Sequence, residues 1–362
     1  MPKANLKICV VSISLSRGGA ERSTSILTKM LNDEGFDVHL VLLTDAIDYE
    51  FEGKLFNLGV HKTLTDNPYK RFNRIQKFRQ YLKKLDFDYI IDNRSRQSAP
   101  VELVYMNYVY RGFKFLYVVR SHNINKYLTR YDWLAKLMVT KVNKIVGVSK
   151  TISNTINSKF QTDKAITVYN PVELFSKQDE IVDSNIKYIL FLGRLDDDSK
   201  NFSLLIDAYA KSELPKNSVE LHLYGEGPDE NFIRQKIDAV GLYEIIKLFS
   251  FTPNVYPVLK NALFLTLTSH YEGFPRVLIE ALSVGTPVIS VDCKSGPSEI
   301  IQHEKNGLLV ENYNPEALSD AFNRLLFDEK LYKFCKMNSK DSVSHLHQKN
   351  IANQWSKILT NE

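Results

Sequence analysis

Cysteine is scarce in this chain of 362 residues: Cys9, Cys293 and Cys335 are the only three, and each stands alone. Isolated thiols in odd number make neither a disulfide framework nor a metal cluster, and they suit a reducing cytoplasm. Long apolar runs are missing too. Stretches such as 263–269 (LFLTLTS) and 187–192 (KYILFL) are strand-length, far short of the roughly 20 residues a membrane span needs. The N-terminal MPKANLKICVVSIS has no small-residue cleavage site after it and runs into the polar SRGGAERS, so it reads as a first strand rather than a signal peptide. Disorder is excluded by composition, since 44% of residues are hydrophobic and 25% charged.

Charge is unevenly spread. Residues 1–175 hold 27 Lys and Arg against 16 Asp and Glu, whereas the remainder holds 20 against 26. A basic first half and an acidic second half point to an anionic partner for the first half alone.

Length makes two domains the natural division. Apolar runs alternate with helical spacing at 6–14, 38–44, 88–92, 115–120, 144–149 and 165–169. A second series follows at 187–192, 219–224, 245–251, 263–269, 286–291 and 307–310. Near-continuous apolar strands separated by helices predict parallel sheets covered on both faces. The chain therefore reads as α/β, two tandem doubly wound (Rossmann-like) domains facing a central cleft. The first spans 1–172 and the second 173–345, with the linker near 171–186 and a last helix, 346–362, available to pack back on the first domain.

In such sheets ligands sit outside the carboxyl ends of the strands. Three loops there carry chemistry. Gly18 and Gly19 follow the first strand and open into helix 20–34, where they either let a ligand approach the backbone or make a tight turn with positive φ. They do not form G-x-G-x-x-G, so a nicotinamide site is unsupported. After strand 187–192 comes Gly193-Arg194-Leu195-Asp196-Asp197-Asp198-Ser199-Lys200. Its two cations either neutralise a leaving diphosphate without metal or are solvated or paired with the three aspartates, themselves a run that is ordinarily solvated. After strand 263–269 come Glu272, Gly273, Phe274 and Pro275, with Glu280 a turn or two later. Carboxylates are bidentate acceptors for vicinal hydroxyls, so this pair suits a sugar and a ribose; the alternative is two solvated glutamates.

Taken in order, these elements resemble glycosyltransferase family 4. The resemblance rests on the Gly-Gly-Ala-Glu loop at 18–21, Val-Ser-Lys at 148–150, Asn-Pro-Val at 170–172 and Gly-Arg-Leu…Lys-Asn at 193–201. It extends through Gly-Glu-Gly-Pro at 225–228, Glu-Gly-Phe-Pro…Glu at 272–280 and Gly-Thr-Pro-Val-Ile at 285–289. It implies the GT-B fold and transfer with retention of anomeric configuration, with no metal and no cofactor beyond the nucleotide-sugar donor, UDP favoured. It also implies that Gly18 and Gly19 approach the donor diphosphate, Arg194 and Lys200 clamp it, Glu272 with Gly273, Phe274 and Pro275 holds the sugar, and Glu280 the ribose. His122, in Arg120-Ser121-His122-Asn123, matches the family's active-site histidine. The acceptor is expected to be a glycan or lipid-linked glycan, in surface polysaccharide or glycoconjugate synthesis.

The loop Asn93-Arg94-Ser95-Arg96-Gln97 has no counterpart in the resemblance and leaves the acceptor open. Asp86-Phe87-Asp88 has the D-x-D form of metal-dependent transferases but begins a strand, away from the ligand end. Residues 70–84 hold seven Lys and Arg and no acid, with Phe72, Ile75, Phe78 and Leu82 at helical spacing. Such a helix either meets an anionic membrane surface, as a peripheral protein on the inner face of the cell membrane, or packs its apolar side and leaves its charges solvated. No nucleic-acid motif is present, so nucleic acid is not expected. Two other functions share the architecture: a sugar-nucleotide 2-epimerase, and a catalytically silent sugar-nucleotide-binding subunit.

Overall fold

A computed structural model describes residues 6–16, 18–62, 67–172 and 186–360. The chain divides into two compact units, one of Met1–Pro171 with Gln348–Glu362 and the other of Val172–His347. Most of the expected linker, 173–185, lies outside the described residues.

The first unit holds a seven-stranded parallel sheet: β1 Lys7–Ser12, β2 Asp37–Leu42, β3 Lys54–Asn57, β4 Tyr89–Asp92, β5 Lys114–Val119, β6 Lys144–Gly147 and β7 Ala165–Thr167. The strands lie in the order β3-β2-β1-β4-β5-β6-β7. Adjacent strands keep a plain parallel register, Val10 opposite Leu40 on one side and Ile91 on the other. Residues Ile8 to Val11 are fully buried, as strands covered on both faces must be. The order reverses between β1 and β4, which makes their carboxyl ends the switch point where a crevice opens. β3 is the strand the periodicity missed. Lys54 and Leu55 are exposed on this short edge, so no apolar run announces it.

The second unit holds six strands, all parallel and all at the expected places: β8 Tyr188–Leu192, β9 Glu220–Tyr224, β10 Ile246–Phe249, β11 Leu265–Leu267, β12 Val288–Val291 and β13 Gly307–Val310. Their order, β10-β9-β8-β11-β12-β13, puts the switch between β8 and β11. Phe191 and Phe202, with ring centroids 4.7 Å apart, anchor its core. The two-domain Rossmann-like reading of the sequence holds.

Helix boundaries follow from local chemistry. The helix Gly19–Asp33 buries Ile26, Leu27, Met30 and Leu31 and stops just before Gly35, which takes φ 88°. The basic helix is Pro68–Leu85: Asn67 accepts a hydrogen bond from the Lys70 amide at its start, and Asp86 ends it at φ 52°. Asp88, the other member of the D-x-D pattern, accepts from the Lys7 amide at 2.8 Å, so both aspartates serve the chain's own backbone. The closing helix Gln348–Thr360 buries Trp355 and contacts the helix Gly19–Asp33 within the first unit.

Candidate active site

In the second unit, the loops after β8 and β11 meet. Lys200 ends the short helix Asp197–Lys200, and its Nζ lies 2.6 Å from Glu272 Oε1. Ser269, the last residue before the loop, donates its hydroxyl to the same oxygen at 2.6 Å. Backbone bonds hold the two loops together: the His270 amide donates to the Ser199 carbonyl at 3.0 Å, and Thr268 Oγ1 donates to the Lys200 carbonyl at 2.8 Å. Lys200 is 21% exposed and Glu272 14%, so the pair is partly desolvated but reachable. Arg194 stands apart at 69% exposure, its Nε 4.0 Å from Asp196.

The aspartate run divides its labour. Asp197 accepts from the Ser203 amide and hydroxyl at the start of the helix Phe202–Lys211, and its own amide donates to Asp229. Asn201, at φ 54°, accepts from the Leu204 amide and caps that helix. Capping, rather than pairing with Lys200, is what Asp197 does here.

Glycines pack the neighbouring loop against this one. A Cβ on Gly225 would come within 1.9 Å of the Gly193 carbonyl oxygen, and one on Gly227 within 2.1 Å of that of Leu195. The Leu195 amide donates to the Glu226 carbonyl at 3.0 Å. The Gly-Glu-Gly-Pro element thus buttresses the Arg194 loop. A second buttress went unread in the sequence. Ser295 donates to the Gly273 carbonyl at 2.8 Å, and Gly296 at φ 103° leaves room for the Pro275 ring, which a Cβ would approach to 2.5 Å. The Lys294 carbonyl also accepts from the Glu272 amide at 3.2 Å. Nothing in Ser-Gly-Pro at 295–297 distinguishes it from an ordinary turn. Glu280 is buried and bonded to Arg276 at 3.0 Å, one turn back on the same helix, a partner the sequence reading did not assign. Burial, with Glu272 close by, pushes the Cys293 thiol up to about 12, which disfavours the thiolate.

In the first unit, Gly18 is extended at φ 172° and Gly19 opens the helix, so the pair is not a turn requiring positive φ. A Cβ on Gly19 would meet nothing within 4 Å. His122 is half-buried in the loop after β5, where its carbonyl accepts from the Ile124 amide. Beside it Arg120 ties three segments together, donating to Asn170 at 2.9 Å and Asn93 at 3.0 Å. Ser23 on the first helix also reaches Asn170 at 3.4 Å.

The Arg94 loop resolves into a buried ionic cluster. Arg94 lies between Asp92 (2.8 Å) and Glu102 (3.2 Å), its guanidinium over the Tyr105 ring at 3.8 Å. Arg96, fully buried, donates to the Asp92 carbonyl at 2.7 Å and stacks over Tyr117 at 4.0 Å. Tyr110 donates to Asp92 at 3.1 Å. Burial opposes ionisation of Asp92, but the two guanidiniums hold its carboxyl below the usual range; burial raises Glu102 against the pull of Arg94.

A fold of two parallel-sheet units, with cation and carboxylate loops at the switch point of the second, defines a class, and comparison with known proteins gives the same class. The family Glycosyl transferases group 1 matches 173–342, and Glycosyltransferase Family 4 matches 17–174. The chain carries both domains of a GT-B glycosyltransferase. It is 29% identical to the N-acetylgalactosamine-N,N'-diacetylbacillosaminyl-diphospho-undecaprenol 4-alpha-N-acetylgalactosaminyltransferase of Campylobacter jejuni, over 98% of this chain and 99% of that one. It is 24% identical to the amylovoran biosynthesis glycosyltransferase AmsD of Erwinia amylovora, over 98% and 99%. Among solved structures, Anabaena HepE in complex with UDP aligns over 99% of this chain and all of that one, with a TM-score of 0.78 at 18% identity. Among the described residues, no helix is long and apolar enough to cross a membrane.

Proposed function

We propose that this glycosyltransferase moves a hexose or N-acetylhexosamine from a nucleoside diphosphate sugar, UDP favoured, to a sugar hydroxyl of a lipid-linked glycan, retaining anomeric configuration. The observation that carries the reading is the Lys200–Glu272 pair, 2.6 Å apart at the carboxyl ends of β8 and β11, with Arg194 exposed on the same loop as Lys200. A donor sugar diphosphate offers replacements for what each member takes from the other: phosphate oxygens for the ammonium and hydroxyl donors for the carboxylate. On binding, Lys200 and Arg194 take the diphosphate. Glu272 turns to the sugar hydroxyls, flanked by the backbone of Gly273, Phe274 and Pro275, which Ser295 and Gly296 hold in place. Glu280 takes the ribose. As the glycosidic bond breaks, negative charge grows on the leaving phosphate, and fixed cations stabilise it more in the transition state than in the ground state.

In the first unit, Gly19 serves the diphosphate: its Cβ position is open, so the fold itself does not demand glycine there. His122 acts beside the transferred sugar. Retention follows if the departing phosphate oxygen takes the proton of the acceptor hydroxyl on the same face. The relative from C. jejuni is named for an α-linked product on a diphospho-undecaprenol carrier, and an α product from an α-linked donor is a retained one. The chemistry runs on side-chain cations without metal. A nucleotide-release assay over UDP-hexoses, UDP-N-acetylhexosamines and GDP-mannose, in chelator and with a lipid diphosphate-linked glycan, tests the reading. One donor should release nucleotide only when acceptor is present. Conversion of UDP-N-acetylglucosamine without acceptor would make the protein an epimerase, and binding without turnover would make it a silent subunit.

A further inference from the structure

Glu272 is held by two donors on one oxygen. Lys200 Nζ and Ser269 Oγ each lie 2.6 Å from its Oε1, and among the described residues no hydrogen bond reaches its Oε2. The two donors differ in what a ligand would do to them. Lys200 is 21% exposed and ends a long side chain, and the transfer reading sends it to the diphosphate. Ser269 is fully buried two residues past β11, on a side chain too short to follow a ligand.

The backbone around this hydroxyl is fixed on both sides. Before it, Thr268 Oγ1 donates to the Lys200 carbonyl at 2.8 Å; after it, the His270 amide donates to the Ser199 carbonyl at 3.0 Å. The Glu272 amide donates to the Lys294 carbonyl at 3.2 Å. Both ends of the Ser269–Glu272 bond are therefore tied to neighbouring loops. A glutamate side chain loses several torsions when it is ordered, and without a fixed partner its ligand must supply that ordering. A hydroxyl that keeps Oε1 in place removes the cost before the ligand arrives. It also decides which oxygen is presented, since Oε2 is then the one left to accept from a sugar hydroxyl.

We propose that Ser269 is a positioning residue for donor recognition. Its hydroxyl holds Glu272 Oε1 while Lys200 leaves for the diphosphate, and Oε2 is thereby aimed at a hydroxyl of the transferred sugar. That Glu272 meets the sugar rests on the transfer reading above; that Ser269 orients Glu272 does not.

The test separates the sugar's share of binding from that of the nucleotide. The full chain is titrated calorimetrically with UDP and GDP, and with UDP-glucose, UDP-N-acetylglucosamine, UDP-N-acetylgalactosamine and GDP-mannose. The nucleotide sugar that wild type binds most tightly is the probe, and the readout is its affinity relative to that of its parent nucleotide. Ser269→Ala should lower this ratio about fivefold, bind the nucleotide alone as wild type does, and melt like wild type. Glu272→Ala should lower the ratio further. Adding Ser269→Ala to it should lower the ratio no more, because the hydroxyl acts through the carboxylate. Thr268→Val, which removes the bond to the Lys200 carbonyl, should weaken nucleotide and nucleotide sugar alike and leave the ratio unchanged. Equal weakening of both ligands by Ser269→Ala would overturn the proposal and make the hydroxyl a support of the loop alone. Additive effects of the two alanines would overturn it too. If Glu272→Ala lowers the ratio and Ser269→Ala does not, the proposal fails and the sugar assignment of Glu272 stands. If neither lowers it, or wild type gains nothing from any of the sugars, both fail.

Discussion

Both units place charged residues at the switch point of a parallel sheet, yet the two clusters have opposite character. In the first unit Asp92, Arg94, Arg96 and Glu102 are all buried, and each guanidinium finds carboxylate or carbonyl partners and an aromatic face. In the second, among the described residues, Lys200 and Glu272 have each other and Ser269, and Arg194 has only a marginal contact with Asp196. A buried cluster of mutually paired charges holds a loop in place and resists exchange, because every partner removed leaves a buried charge. A partly exposed pair with few partners can trade them for a ligand. The same residue types thus make scaffold in one unit and candidate machinery in the other.

The largest effect should come from breaking the scaffold. Asp92→Asn leaves Arg94 and Arg96 without their shared charge and should cost about 3–5 kcal/mol in denaturant unfolding. Asp92 also has a pH signature. Its folded pKa is lowered, so its contribution is complete above an unfolded value of about 3.9 and fades as pH falls through the folded value. The variant should lack this acid phase. Next comes the exchangeable pair. Lys200→Ala should lose about 2–4 kcal/mol of transition-state stabilisation, and Arg194→Ala a comparable amount, while both melt close to wild type. A Lys200 variant as unstable as the Asp92 one would erase the contrast. Gly227→Ala drives a Cβ onto the Leu195 carbonyl and should cost about 1–3 kcal/mol of stability, together with activity, because it moves the Arg194 loop. The smallest effect sharpens the comparison most. Glu272→Gln releases Lys200 and should tighten UDP alone by roughly 0.5–1 kcal/mol in calorimetry while abolishing sugar transfer. Weaker UDP binding in that variant would mean the pair does not exchange.

Strands were legible because parallel sheets buried on both faces leave apolar runs. All six of the second unit stood out, and β3 escaped because an exposed edge needs no such run. Loops at strand ends were legible as positions but not as partnerships. Lys200 and Glu272 are 72 residues apart, and only the pairing of β8 with β11 brings them together. The loop 93–97 carries no role in the sequence reading, because the burial of Arg94 and Arg96 depends on Tyr105 and Tyr117, which sequence cannot place over them. Asp196–Asp198 offered a choice between pairing and solvation, and Asp197 took a third role, at a helix start. Gly296 and Ser295 left no signal because their function is to fit Pro275 and Gly273 from another segment.

The most direct measurement is nucleotide release by wild type and Lys200→Ala in the presence of chelator, using the preferred donor and a lipid diphosphate-linked glycan. The account predicts acceptor-dependent release by wild type, a fall of roughly 30- to 1,000-fold in kcat/KM for the variant, and superimposable melting curves. Equal turnover by both proteins, or activity that vanishes in chelator and returns with manganese, would contradict it.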